Sequence, residues 1–138
     1  MFVIVDKKNA TPALVGMKAW NLLRLSRHFT VPDFVVVTTR AYRVYKKHRR
    51  IPTGLDRELR NTLDGFLKRG KVAVRSSGVA EDLSDASFAG MYETTLDVQT
   101  VDKGVEAIRR VWHSTDTARI RAYCREKNIA PGEMAVII

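Results

Sequence analysis

Apolar residues along this chain recur with two spacings, and each spacing predicts an element. Following Gly16, residues Ala19, Leu22, Leu23, Leu25 and Phe29 suit the buried stripe of a helix ending near His28. Val31-Pro32-Asp33 interrupts that pattern, since proline disfavours helix in the residue before it. Phe34-Val35-Val36-Val37 is short, continuous and β-branched, which predicts a buried strand. Thr38 or Thr39 then stands where a helix reaching about His48 needs an N-terminal cap. Beyond the Ile51-Pro52-Thr53-Gly54 loop, Leu55, Leu59, Leu63, Phe66 and Leu67 mark a further helix, stopped at Gly70. Residues 71–74 predict a second buried strand, 94–98 an alternating one, and 3–5 a short one at the start. Val101, Val105, Ile108 and Trp112 define a helix, and residues 117–127 another with Asn128 near its cap. Met134-Ala135-Val136-Ile137-Ile138 reads as a buried strand at a place where chains are usually polar and frayed.

The fold class these elements predict is mixed α/β (α+β), a sheet flanked by helices. It is expected to form a single partial domain over residues 1–138, the front part of something larger. The apolar closing strand is expected to offer an edge for self-association or for a second polypeptide.

Composition narrows the function. A 138-residue chain that is 45% hydrophobic and 28% charged can bury a core, which excludes a disordered one. Its apolar runs are a handful of residues long, against the roughly 20 that a membrane helix requires. Met1-Phe2-Val3-Ile4-Val5 meets Asp6, Lys7 and Lys8 at once, without the charged-then-apolar order of a secretory signal. Cys124 is the only cysteine, so an internal disulfide and a multi-cysteine zinc site are excluded. The expectation is a cytoplasmic protein with no membrane partner.

Charge is unevenly placed. The net charge is +9, yet residues 1–70 hold fifteen basic and five acidic side chains while residues 71–138 hold nine and ten. The excess is densest at Lys46-Lys47-His48-Arg49-Arg50. Such a field attracts polyanions, and it supports one alternative function: a non-catalytic basic module that binds a polyanion or partner protein through residues 40–50. Nucleic acid is the weaker candidate, because no aromatic-interleaved basic motif accompanies the run.

The chemistry-bearing segment follows the second buried strand. Residues 76–93 have little periodicity and are rich in Ser, Gly, Asp and Ala, and long loops of this kind are often functional. Arg75 is expected where the strand ends, and a guanidinium there can grip phosphate oxygens through two parallel hydrogen bonds. Ser76 and Ser77 supply hydroxyls, and Ala86-Ser87-Phe88-Ala89-Gly90 is small enough to let backbone N–H groups approach a ligand. Equally, Arg75 could pair with Glu81, Asp82 or Asp85 and merely pin the loop. The pattern is not a Walker loop, which would need Gly-Lys-Ser/Thr after a glycine-rich turn.

Val72-Ala73-Val74-Arg75-Ser76-Ser77, then Ala80-Glu81-Asp82-Leu83, then Asp85-Ala86-Ser87-Phe88-Ala89-Gly90 together resemble the signature of the N-terminal nucleotide-binding domain of the phosphoenolpyruvate synthase and pyruvate phosphate dikinase family. Val15-Gly16-Met17-Lys18, Pro32 to Thr39, and Ala107 to Trp112 with Arg121-Ala122-Tyr123 resemble other stretches of it in the same order. The resemblance implies the front portion of an ATP-grasp module. It implies that Lys18 and Arg75 contact ATP phosphates, while Gly90 and Thr94 lie in the loop and strand closing over the nucleotide. It further implies a reaction in which ATP phosphorylates a histidine, releasing AMP and phosphate, before pyruvate becomes phosphoenolpyruvate. The histidine, the pyruvate-binding part and the magnesium ligands lie, in that family, beyond the stretch that this chain matches. No catalytic residue is therefore assigned here, and the chain alone is expected to bind ATP weakly without turnover. Met17, Asp33, Gly78-Val79 and Ser84 depart from the family pattern.

The remaining candidates are bland. Glu81, Asp82 and Asp85 could hold magnesium but suit turn capping better. His28, His48 and His113 lack metal-ligand spacing, Cys124 reads as an inert thiol, and Trp20 and Trp112 read as core or interface residues.

Overall fold

The computed structural model describes residues 2–4, 7–80, 82–83, 86–87 and 90–138. Among these residues seven strands and five α-helices follow one another in the order β1 (Val3–Ile4), α1 (Pro12–Leu25), β2 (Val36–Val37), α2 (Thr39–His48), α3 (Thr53–Leu67), β3 (Val72–Gly78), β4 (Asp82–Leu83), β5 (Ala86–Ser87), β6 (Thr94–Val98), α4 (Val101–Ser114), α5 (Ala118–Glu126) and β7 (Met134–Ile137). Five strands form one sheet, β1-β2-β7-β3-β6, in which every pairing is antiparallel. β4 and β5 form a separate short hairpin.

The apolar spacings become two layers on this sheet. Leu55, Leu59 and Leu63 of α3 and Val105, Ile108 and Trp112 of α4 are buried together against Val37, Val74 and Val136. On the opposite face Val15, Ala19 and Leu23 of α1 pack on Val36, Ala135 and Ile137. Strand residues alternate between the faces, so the continuous apolar runs of β2 and β7 serve both layers. α5 makes a smaller cluster through Ile120 and Cys124 with Met91, Tyr92 and Ile129. Among the described residues no helix is long and apolar enough to cross a membrane.

Four sequence expectations are corrected. Strand β3 does not stop at residue 74 but continues to Gly78, paired throughout residues 75–78 with β7, so Arg75 sits inside an antiparallel ladder. The long unstructured loop accordingly starts later and contains the β4–β5 hairpin. Thr38 stands at the N-cap of α2 as expected, but its side chain makes no cap hydrogen bond. The Thr38 hydroxyl donates to the Phe2 carbonyl at 2.9 Å and that of Thr39 to the Ala13 carbonyl at 3.0 Å, so both threonines tie distant segments together. Finally, β7 is the middle strand, with β2 on one side and β3 on the other. Both its edges are occupied, so β7 leaves no free edge for the pairing expected of it.

Candidate functional site

The site is built where α1 meets β3. Gly16 interrupts α1 with φ 74° and ψ 167°, a conformation open essentially to glycine alone. A Cβ added there would lie 2.0 Å from the Ser77 carbonyl oxygen, so the glycine lets the helix backbone touch the strand. The close approach that the glycine permits is thus to Ser77 of β3. The helical stretch that carries Lys18 begins immediately after this break.

Lys18 is exposed, and its Nζ donates to the Ser76 hydroxyl at 3.3 Å. Ser77 is fully buried; its Oγ accepts from the Ala19 amide at 3.0 Å and donates to the Val15 carbonyl at 2.8 Å. Of the two serine hydroxyls expected to face a ligand, Ser77's is therefore consumed inside the fold.

Arg75 pairs across the ladder with Ile137 of β7 and with Thr94 of β6. Directly opposed residues share a face of the sheet. Because Ile137 packs beneath α1, Arg75 and Thr94 project from the α1 side. α1 covers β2, β7 and β3 on that side. Beyond its cover Arg75 and Thr94 are exposed, and Leu96 on the same edge strand is 67% exposed. Among the described residues no carboxylate is paired with the Arg75 guanidinium. Its possible pinning by Glu81 or Asp85 lies outside the described residues, and the side chain of Asp82 is not described either. Ser84, Phe88 and Ala89 fall outside them as well. Gly90 adopts φ 69°, the positive value that explains a glycine there.

Arg75 also lines a cavity of about 540 Å³ with Leu22, Phe34, Phe66, Lys71 and Ile137. Asp33 lines the same cavity but is held by Arg69 at 2.6 Å. Apart from Asp33, which Arg69 holds, the polar groups described around Lys18 and Arg75 are cations and hydroxyls and do not fit a magnesium ion. Among the described residues no three His, Cys, Asp or Glu side chains converge as metal ligands would.

The basic run is partly spent on internal pairs. Lys46 and Arg49 each reach Asp116 at 3.4 Å, Arg121 reaches it at 3.3 Å, and Arg43 pairs with Glu133. Lys46 foremost, with hydrogen bonds from Arg49 and Arg121, holds the Asp116 carboxyl below its usual range despite some desolvation. His28, His48 and His113 are exposed. Burial pushes the Cys124 thiol upward in pKa, as suits an inert core thiol, and Trp112 lies fully in the core.

Sequence reasoning missed Asp116 as the hub of three cations and Glu58 as a clamp. Glu58 Oε1 accepts from the backbone amides of Phe2 at 2.8 Å and Val3 at 2.9 Å and fastens β1 to α3. Both contacts join residues more than fifty positions apart or in different elements, and no local pattern announces them.

Comparison with known proteins supplies a family. The family model for the pyruvate phosphate dikinase AMP/ATP-binding domain matches residues 46–138, a stretch that includes Arg75, Gly90 and Thr94 and leaves Lys18 outside. An uncharacterized phosphotransferase, YvkC, of Bacillus subtilis (strain 168) is 29% identical across 99% of this chain and 19% of its own length. Phosphoenolpyruvate synthase of Pyrococcus furiosus is 40% identical across 62% of the chain and 11% of its own length. That of Aeropyrum pernix is 44% identical across 49% and 8%. The chain spans about a fifth or less of the length of these relatives.

Proposed function

The chain belongs to the pyruvate phosphate dikinase AMP/ATP-binding domain family, and from that membership we infer that Lys18, Arg75, Thr94 and the turn at Gly90 hold the triphosphate of ATP. The observation that carries this reading is the placement of Arg75. It stands exposed on the α1 face, in register with Thr94, and one residue before the serine that receives the Lys18 ammonium.

Two cations at exposed positions of helix and sheet neutralise phosphate charge and hold its orientation, which is the main contribution a protein makes to phosphoryl transfer. Arg75 offers paired donors to phosphate oxygens, Lys18 a compact point charge, and the Thr94 hydroxyl a further donor. Gly90 supplies a turn that another residue would strain. The module is read as the front of an ATP-grasp-type nucleotide domain. It serves a phosphotransferase resembling phosphoenolpyruvate synthase, in which ATP would phosphorylate a histidine and pyruvate would accept the group. Magnesium is expected to accompany ATP, held by residues other than those described around Arg75. These 138 residues would bind the nucleotide weakly and not complete the transfer by themselves.

Calorimetric titration of the purified chain with ATP tests the reading. Arg75→Ala is expected to weaken binding about tenfold or more, from the loss of charge-assisted hydrogen bonds. Replacing Lys46, Lys47, Arg49 and Arg50 together by glutamine is expected to leave affinity within about threefold, the residue of long-range attraction alone. The reverse pattern, with affinity falling steeply as salt rises, would overturn it in favour of polyanion binding through residues 40–50.

A further inference from the structure

An unbroken α-helix joins the amide of residue 19 directly to the carbonyl of residue 15. At the Gly16 break the Ser77 hydroxyl stands between those two groups, accepting from Ala19 N at 3.0 Å and donating to Val15 O at 2.8 Å. Val15, Ala19 and Ser77 are all fully buried, so water cannot substitute for the hydroxyl. A side chain from β3 therefore replaces a helical hydrogen bond and spans the residues on both sides of Lys18. Its neighbour Ser76 receives the Lys18 ammonium. Three consecutive residues of one strand thus present the Arg75 guanidinium, meet the Lys18 side chain and anchor the Lys18 backbone.

We propose that Ser77 is a positioning residue for nucleotide binding: its hydroxyl stitch fixes Lys18 relative to Arg75 so that both cations meet one triphosphate. The inference rests on the reading of Lys18 and Arg75 as phosphate contacts. Ser77 itself touches no ligand. Without the stitch the helix start is free to turn about Gly16, and Lys18 loses its fixed place while Arg75, carried by the β3 ladder, keeps its own.

The test is a pair of double-mutant cycles on the full chain with ATP as the probe. Ser77→Ala is made alone, with Lys18→Ala, and with Arg75→Ala, and thermal melting reports how much of each variant is folded. Ser77→Ala alone is expected to weaken ATP binding about tenfold, the scale of one lost buried hydrogen bond. In the Lys18→Ala background the same change should cost less than about twofold, whereas in the Arg75→Ala background the full effect should persist. A purely structural serine would weaken binding equally in both backgrounds, and that result, or an unchanged affinity in Ser77→Ala, overturns the proposal. Should Ser77→Ala not fold, Ser77→Cys keeps the shape with a weaker donor and is read in the same two backgrounds. If neither Lys18→Ala nor Arg75→Ala alters ATP binding, the site reading itself has failed, and the positioning role falls with it.

Discussion

Replacing Gly16 with alanine should be among the costliest single-methyl additions in this chain, and the size of the effect follows from two separable terms. At φ 74° and ψ 167° the backbone lies where a side chain costs about 1–3 kcal/mol. The added Cβ would also lie 2.0 Å from the Ser77 carbonyl oxygen and 2.5 Å from both its carbonyl carbon and its Oγ. Two of those atoms are backbone in a strand paired with β7, so they cannot swing aside as the end of a flexible side chain would. Overpacking of this kind costs roughly 1–3 kcal/mol more. The sum, about 2–6 kcal/mol, is a large fraction of the roughly 5–15 kcal/mol that stabilises a domain. It corresponds to a fall in Tm on the order of 6–20 °C for a chain of this size. Gly90→Ala is the control. It shares the positive φ, at 69°, yet among the described residues nothing lies within 4 Å of its added Cβ. Only the conformational cost of about 1–2 kcal/mol remains there. Differential scanning calorimetry of both variants separates the terms. Equal melting temperatures for the two would refute the claim that the helix backbone is pressed against β3.

Two further outcomes follow from charge. Asp116 has a depressed folded-state pKa, so the stability from its contacts with Lys46, Arg49 and Arg121 is present above its unfolded pKa of about 4. That stability is lost as pH falls through the lower folded value. Tm measured against pH should therefore drop less steeply below about pH 4 in Asp116→Asn than in the parent, and parallel curves would refute the ion-pair cluster. Arg75→Leu should raise Tm by a few degrees, through roughly 1 kcal/mol of added apolar burial beside Ile137, while weakening ATP binding as Arg75→Ala does. A fall in Tm would instead make the guanidinium a structural group.

Helices were legible where burial alone decides them. Leu55, Leu59 and Leu63, and Val105, Ile108 and Trp112, meet the core as their spacing predicts. The strand end at residue 74 was misread because Ser76-Ser77-Gly78 has the composition of a turn. Those serines stay in the strand because their hydroxyls find partners on α1, a fact located some sixty residues away in sequence. The same non-locality hid the turn of α1 that precedes Gly16, where the sequence pattern starts the helix, and the Glu58 clamp on β1. Threonines 38 and 39 show local preference yielding to tertiary bonds, since a capping hydroxyl is worth no more than one that ties β1 or α1 in place. Of the site, the identities of Lys18, Arg75, Gly90 and Thr94 could be read from motif resemblance. That Arg75 and Thr94 share a face could not, because register depends on both strands.

The sheet's unequal cover explains why the cations sit where they do. One face is sealed by α2, α3 and α4, and a charged side chain there would be buried without a partner. The other face is apolar beneath α1, at Val36, Ala135 and Ile137, and becomes polar only beyond that helix. Arg75 stands at the boundary, on a strand rigid enough to place it and at a point open enough to hydrate it. Lys18, from the helix side, reaches Ser76, the next residue of the same strand. A phosphate group entering there would meet cations carried by a helix and by a strand that are fastened to each other. A site of this kind needs its two supports held in register more than it needs added charge. The Gly16–Ser77 contact, in which a missing side chain and a borrowed hydroxyl fasten helix to strand, is the feature that supplies that register.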